Sequence, residues 1–262
     1  MPKSGTTRPV RCQATPMANH KLYIHEFVDI IGHNRADYMH HMTANWSPIA
    51  QDERHQLCYG VWAVVGSTGS WPQVLNLWEE DGWDGMAASF RLECQGAGAQ
   101  DPKLAKWWAQ AAGYRRGGAD RLLVPAPWTR TIEELCADGV SGECYAHEQV
   151  SLKRGASADF LERVRTRAVA AYEPFGWELA GAWETAMAAD DEAFLLWAVP
   201  TWEAWADFEK ARRADRGLAR WRAAVDDQVK GWHRLLLVDA LLCPFRTGRQ
   251  PARRDRIDYQ DL

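Results

Sequence analysis

Tyr23-Ile24-His25-Glu26 returns 122 residues later as Tyr145-Ala146-His147-Glu148. The echo continues along the chain. Ala36-Asp37-Tyr38 falls on Ala158-Asp159-Phe160 at the same spacing, and Gly60-Val61-Trp62 falls on Gly181-Ala182-Trp183 at an offset of 121. Leu77-Trp78 falls on Leu196-Trp197, and Trp83 on Trp202, at 119. Several matches in order, with an offset that drifts by a residue or two, mark a duplicated unit.

Working outward from the first copy, residues 21–31 alternate as a strand. Ile24, Glu26 and Val28 share one face, and Tyr23, His25, Phe27 and Asp29 share the other. A helix is expected over 35–46, where Tyr38, Met42, Asn45 and Ile49 are at helical spacing and Pro48 ends it. Residues 57–65 and 73–78 read as a hairpin across a Gly66–Ser70 turn. A short helical segment at 83–90, a helix at 102–113 and a closing strand at 121–125 complete the unit. The second copy reads as strands at 143–150, 177–185, 193–199 and 235–238. Its helices are expected at 157–171 and from Thr201 on, with 209–232 helical in pattern. Strand, helix, strand, strand, helix, strand is the split βαβ order: an antiparallel sheet with helices on one face. The open face of each sheet must be buried against something, and two such modules in one chain can bury each other's.

The expected fold is therefore α+β: two tandem split-βαβ (ferredoxin-like) modules forming one α/β barrel within the chain. The divisions are an arm at 1–20, modules at 21–127 and 143–243, a linker at 128–142 and an Arg-rich tail at 244–262. The tail reads as a solvated or partner-wrapping arm.

The 262 residues are 47% hydrophobic and 25% charged, with a formal charge of −4. That balance suits a soluble globular protein and gives no nucleic-acid footprint. Fifteen tryptophans imply thick cores, an aromatic pocket or an apolar interface, so a homo-oligomer is one expectation. The six cysteines form no CxxC pair and read as free thiols. Residues 1–20 lack an apolar signal core and no run of about twenty apolar residues occurs, so a cytoplasmic protein with no membrane span is expected.

The motifs Tyr23-x-His25-Glu26-Phe27, Phe175-Gly176-Trp177-Glu178-Leu179 through Gly181-Ala182-Trp183, and Phe194-Leu195-Leu196-Trp197 with Trp202, Trp205 and Phe208 resemble the NIPSNAP-like proteins of the dimeric α/β-barrel superfamily, in tandem form. The resemblance spans residues 21–243. It implies a fold but no universal catalytic set. The superfamily includes cofactor-free monooxygenases, cyclases, isomerases, dehydratases and haem enzymes, a range typical of secondary metabolism.

Candidate catalytic residues are the polar groups set among aromatic strands and on the first helix: Tyr23, His25, Glu26, His40 and His41. His25 and Glu26 are adjacent on a strand and face opposite ways, so they do not form a dyad. His40 and His41 sit on a helix above the sheet and have no counterpart in the second copy. A histidine there can act as a base near neutral pH. Tyr38, Met42, Trp46, Trp62 and Trp78 are the candidate substrate-binding residues. No HExxH, GxGxxG, Walker or GxSxG pattern occurs, so no metal or nucleotide is expected. Haem remains an alternative, because one axial histidine has no sequence signature. Three functions stay open: an isomerase-, lyase-, cyclase- or monooxygenase-type enzyme moving a proton on an apolar or aromatic metabolite with histidine assistance, a non-enzymatic binding or scaffold protein, and a haem enzyme.

Overall fold

His25 and Glu26 point to opposite sides of one strand, and in each module that opposition separates the barrel interior from the helix-covered face. The computed structural model describes residues 18–187 and 190–256; most of the 1–20 arm and the end of the tail lie outside them. The first module runs β1 (Leu22–Ile30), α1 (Arg35–His40), a π-helical turn (His41–Trp46), α2 (Ser47–Arg54), β2 (Leu57–Val64), β3 (Gln73–Glu80), α3 (Gly82–Glu93), α4 (Ala105–Tyr114) and β4 (Arg115–Pro125). After α5 (Ile132–Asp138), the second repeats the order. It has β5 (Cys144–Leu152), α6 (Ser157–Arg163), a π-helical turn (Val164–Ala168), α7 (Val169–Tyr172), β6 (Glu178–Thr185), β7 (Glu192–Val199), α8 (Trp202–Ala211), α9 (Arg216–Val225) and β8 (Val229–Asp239). The tail carries α10 (Pro244–Thr247). Even the π-helical turn recurs at the same place.

The eight strands close into one antiparallel barrel in the order β1-β3-β2-β8-β5-β7-β6-β4. Two short seams join the modules: Trp62↔Asp239 to Val64↔Leu237, and Leu123↔Thr185 to Pro125↔Trp183. Side chains from both sheets meet inside. Tyr23 packs edge-on to Trp183 at 5.5 Å, and Trp62 lies 5.8 Å from Tyr145. The Tyr59 hydroxyl donates to the Ala180 carbonyl at 2.6 Å. A buried indole removes roughly 150–250 Å² from water, on the order of 5 kcal/mol before ordering costs, so this interior is the main source of cohesion.

The repeated Gly-x-Trp motif has a steric cause. Trp62 folds its indole back over Gly60, and Trp183 does the same over Gly181. A Cβ on either glycine would sit 2.0 or 1.9 Å from the ring. Both glycines lie at register shifts, between Cys58 and Gly60 and between Leu179 and Gly181, where the strand bends to make room.

Four expectations need correction. Pro48 does not end the first helix: the run continues through the π-helical turn into α2 and on to Arg54, with Pro48 in the first turn of α2, where its missing N–H is tolerated. The closing strands are longer than the hydrophobic runs 121–125 and 235–238. They begin at Arg115 and Val229, because pairing to β1 and β5 holds polar and glycine-rich residues extended. The helical pattern over 209–232 ends at Val225; Trp232 sits at helical spacing from Trp221 by coincidence and is a strand residue. The described tail packs on its own chain. Phe245 caps one end of the barrel against Tyr59, Trp62 and Tyr145. Gln250 bonds both the N–H and the carbonyl of Cys58 (2.9 and 2.8 Å), filling the backbone positions left open by the bulge.

Among the described residues, Cys58, Cys94, Cys136, Cys144 and Cys243 are free thiols, and Cys12 lies outside them. No described helix is long and apolar enough to cross a membrane.

Candidate active site

The strand alternation that sends His25 into the barrel sends Glu26 out toward the helices of its own module. There it lines a cavity of ≈ 600 Å³ between the sheet and the helical layer. The walls are aromatic and apolar: Trp46 from the π-helical turn, Trp78 from β3, Trp107 and Trp108 from α4, and Met42 and Met86. The polar groups are Glu26, Arg115 and Asp120 at the sheet, with Arg54, Gln56 and Glu93 toward α2 and α3. Such a surface, mostly apolar with a few charged groups, is what a small-molecule site requires.

Glu26 is fixed by its neighbours. The Trp78 indole N–H donates to Oε2 at 2.7 Å, and the Asn76 amide donates to the same oxygen at 3.0 Å. Asn76 also donates to the Tyr38 hydroxyl at 2.8 Å. Directly across the strand pair from Glu26 stands Asp120, a second carboxylate. Burial, and then the Asp120 charge, push the Glu26 pKa above the usual carboxylate range; the two hydrogen bonds and Arg115 pull the other way. Asp120, at the exposed rim, is raised by desolvation as well. Arg115 stacks on Trp108 at 5.2 Å. A carboxylate held this way can accept a proton from a bound molecule, with a guanidinium near the charge that develops.

Of the residues singled out from sequence, Glu26, Met42, Trp46 and Trp78 line this cavity. Tyr38 lies behind it, fully buried, joined to Glu26 through Asn76. The others are placed elsewhere. His25 faces the barrel interior, where its Nε2 meets Nε2 of His147 at 2.9 Å. One ring must donate and the other accept, so the two neutral imidazoles hold opposite tautomers. Burial lowers both pKa values, that of His147 to about 3. Tyr23 is also interior and donates to Glu79 at 2.9 Å; burial pushes the Glu79 carboxyl up to about 7. Trp62 packs within the barrel. His41 stacks on Trp107 at 4.9 Å, behind the aromatic wall, and half-buried His40 precedes it on α1. No histidine contributes to the described lining.

Sequence reasoning missed Asn76, Arg115 and Asp120. Asn76 carried a signal, since it occupies the helix-facing strand position two residues before Trp78. Arg115 and Asp120 carried none, lying in a stretch without hydrophobic alternation. Among the described residues no three His, Cys, Asp or Glu side chains converge to hold a metal ion. The described lining of this cavity offers haem no histidine, cysteine or tyrosine ligand.

No protein-family model matches the sequence, and no curated protein matches it. Solved structures do match. A "putative monooxygenase" from Lactobacillus acidophilus NCFM superposes with a TM-score of 0.56 at 10% identity, covering 90% of this chain and 97% of the other. The chain has the dimeric α/β-barrel fold. An anthrone oxidase-like protein is similar at TM-score 0.50 and 7% identity, over 84% of this chain and 92% of that one. A NIPSNAP domain protein from Burkholderia xenovorans matches at TM-score 0.35 and 16% identity, over 38% of this chain and 98% of its own.

The second half of this α/β barrel treats the equivalent carboxylate differently. Glu148 accepts from the Trp197 indole at 3.3 Å, as Glu26 does from Trp78. Across the strand pair from it stands Arg234, which donates to Glu148 Oε1 through Nε and Nη2 at 2.7 and 2.5 Å. Arg234 also donates to Glu209 and to the Tyr172 hydroxyl. Tyr172, Trp177 and Phe208 pack around this cluster, Trp177 stacked on Phe208 at 4.2 Å. Glu148 is a neutralised structural group.

Proposed function

We propose that the chain is a small-molecule enzyme that admits an apolar or aromatic compound to the first module's cavity and removes a proton from it with Glu26. One observation carries this reading. Where the second module neutralises its glutamate with Arg234, the first module places Asp120, and Glu26 keeps a raised proton affinity beside an aromatic cavity. Trp78 and Asn76 hold the carboxylate in one orientation, Arg115 stabilises the anion left on the substrate, and Trp46, Trp107 and Met42 pack against its rings. The proton transfer expected of a histidine passes to a glutamate, since His25, His40 and His41 do not line the cavity. Isomerisation, cyclisation, dehydration and cofactor-free monooxygenation can all begin with this step. The descriptions of the similar folds favour the last, with dioxygen as co-substrate.

Anthrone, a polycyclic aromatic with an acidic methylene, is a direct probe. Under argon in D2O, the protein should accelerate exchange of those methylene protons, read by NMR. Glu26→Gln should lower the accelerated rate by about 10²–10⁴-fold. Because Glu26 must be ionised to act, the rate should rise with pH through its raised pKa. Equal exchange with wild type and variant, both binding anthrone, would remove Glu26 from the reaction.

A further inference from the structure

A second space, of ≈ 580 Å³, opens on the helix side of the second module between α8, α9 and β8. Trp205 and Phe208 from α8, Leu218 and Trp221 from α9, and Trp232 from β8 form its apolar surface. Its charge differs from that of the first cavity. Arg212, Arg222, Arg234 and His233 line it against one carboxylate, Glu209. Voids left by imperfect packing are apolar; three guanidiniums around one void describe a site instead.

The three arginines are not equivalent. Arg234 is held by Glu148 and Glu209. Arg212 leans on Glu209 at 3.4 Å through Nε. Arg222 contacts no carboxylate among the described residues, and its guanidinium lies 4.6 Å over the Trp232 ring. A guanidinium stacked on an indole keeps its in-plane N–H donors directed outward, where they can meet a carboxylate, sulfonate or phosphate in a two-point contact.

We propose that this cavity binds an aromatic anion, its ring against Trp205, Trp221 and Trp232 and its acidic group on Arg222 and Arg212. The one carboxylate of its lining, Glu209, is paired with Arg212 and Arg234 and is no free carboxylate base, so the site is one for binding. Thr68, from the hairpin between β2 and β3, forms one wall and accepts a hydrogen bond from Leu236 N at 2.9 Å, so an occupant touches both modules.

The test uses two dyes of similar shape, anionic 1-anilinonaphthalene-8-sulfonate and neutral N-phenyl-1-naphthylamine, titrated into the full chain by fluorescence. Arg212 and Arg222 are exposed, so Arg212→Gln/Arg222→Gln should fold, which a thermal melt verifies. The double variant should weaken the sulfonate by about tenfold or more and leave the neutral dye within about twofold. Added salt should weaken the sulfonate on wild type and much less on the variant. Arg154→Gln, an equal loss of charge at an exposed turn outside both cavities, should leave sulfonate affinity unchanged. No sulfonate binding, equal affinity in wild type and double variant, or a loss equal to or larger in Arg154→Gln would overturn the proposal.

Discussion

Glu26 and Glu148 occupy the same position one repeat apart, and each accepts a hydrogen bond from a tryptophan on the neighbouring strand. They differ in what faces them: Asp120 in one module, Arg234 in the other. One cross-strand position thus decides whether a buried carboxylate meets a cation or a second carboxylate. The scaffold that orients the group is shared, and the charge that faces it is not.

The comparison can be broken most severely at the strut. Arg234→Met would leave Glu148 buried without a cation, which should destabilise the protein by about 3–5 kcal/mol, a fall in melting temperature on the order of 10 °C. An unchanged melting curve would mean that Glu148 is not held by that pair. Next in size is the place where the modules are alike. His25 and His147 are kept neutral by burial, with His147 lowered to about 3 from an ordinary 6.5. Below pH 6.5 the unfolded chain binds protons that the barrel refuses. The histidines' contribution to stability is therefore full above 6.5 and falls as the pH drops toward 3, His147 alone accounting for about 3 kcal/mol between pH 6.5 and 4. Chemical denaturation across that range should show the slope, and His25→Leu/His147→Leu should flatten it.

Gly60→Ala and Gly181→Ala test whether the repeated strand bends are equivalent. Each should lose about 1–3 kcal/mol as the indole is displaced, and a large difference between them in urea midpoints would show that the two bends are not. The smallest effect on stability, and the most informative for function, is Asp120→Arg, which gives Glu26 the partner its twin has. It should raise stability by about 1 kcal/mol or less. It should also shift the pH profile of anthrone exchange to lower pH while slowing exchange at neutral pH. A profile that stays in place would separate Asp120 from the proton affinity of Glu26.

The barrel was legible because duplication leaves a pattern that single propensities do not: Tyr-x-His-Glu, Gly-x-Trp and Leu-Trp recur in order, and a module with one open sheet face implies its partner. The pocket was half legible. Glu26, Met42, Trp46 and Trp78 announce themselves as a polar group among large apolar residues at strand and helix spacings. The decisive contrast was hidden by register. Aligning Arg121-Leu122-Leu123 with Arg234-Leu235-Leu236 suggests that the two arginines correspond. The observed pairing is one residue different, setting Arg121 opposite His25 and Arg234 opposite Glu148. A shift of one residue moves a strand side chain to the other face, so the two arginines serve opposite sides of the sheet. The histidines misled for a related reason: residue type says what chemistry is available, and only the strand face says where.

The seams have a consequence for synthesis. β2 pairs with β8 and β4 with β6, and Gln250 closes the bulge at Cys58. As the chain emerges from the ribosome, the first module has its full set of strands long before either edge has a neighbour, and Tyr59 and Trp62 wait uncovered for Tyr145, Trp183 and Phe245. Two exposed edges on an apolar sheet are an invitation to the wrong partner. The interval between translating β4 and translating β8 is therefore when this protein is most exposed to misassembly, and slow translation there would lengthen it.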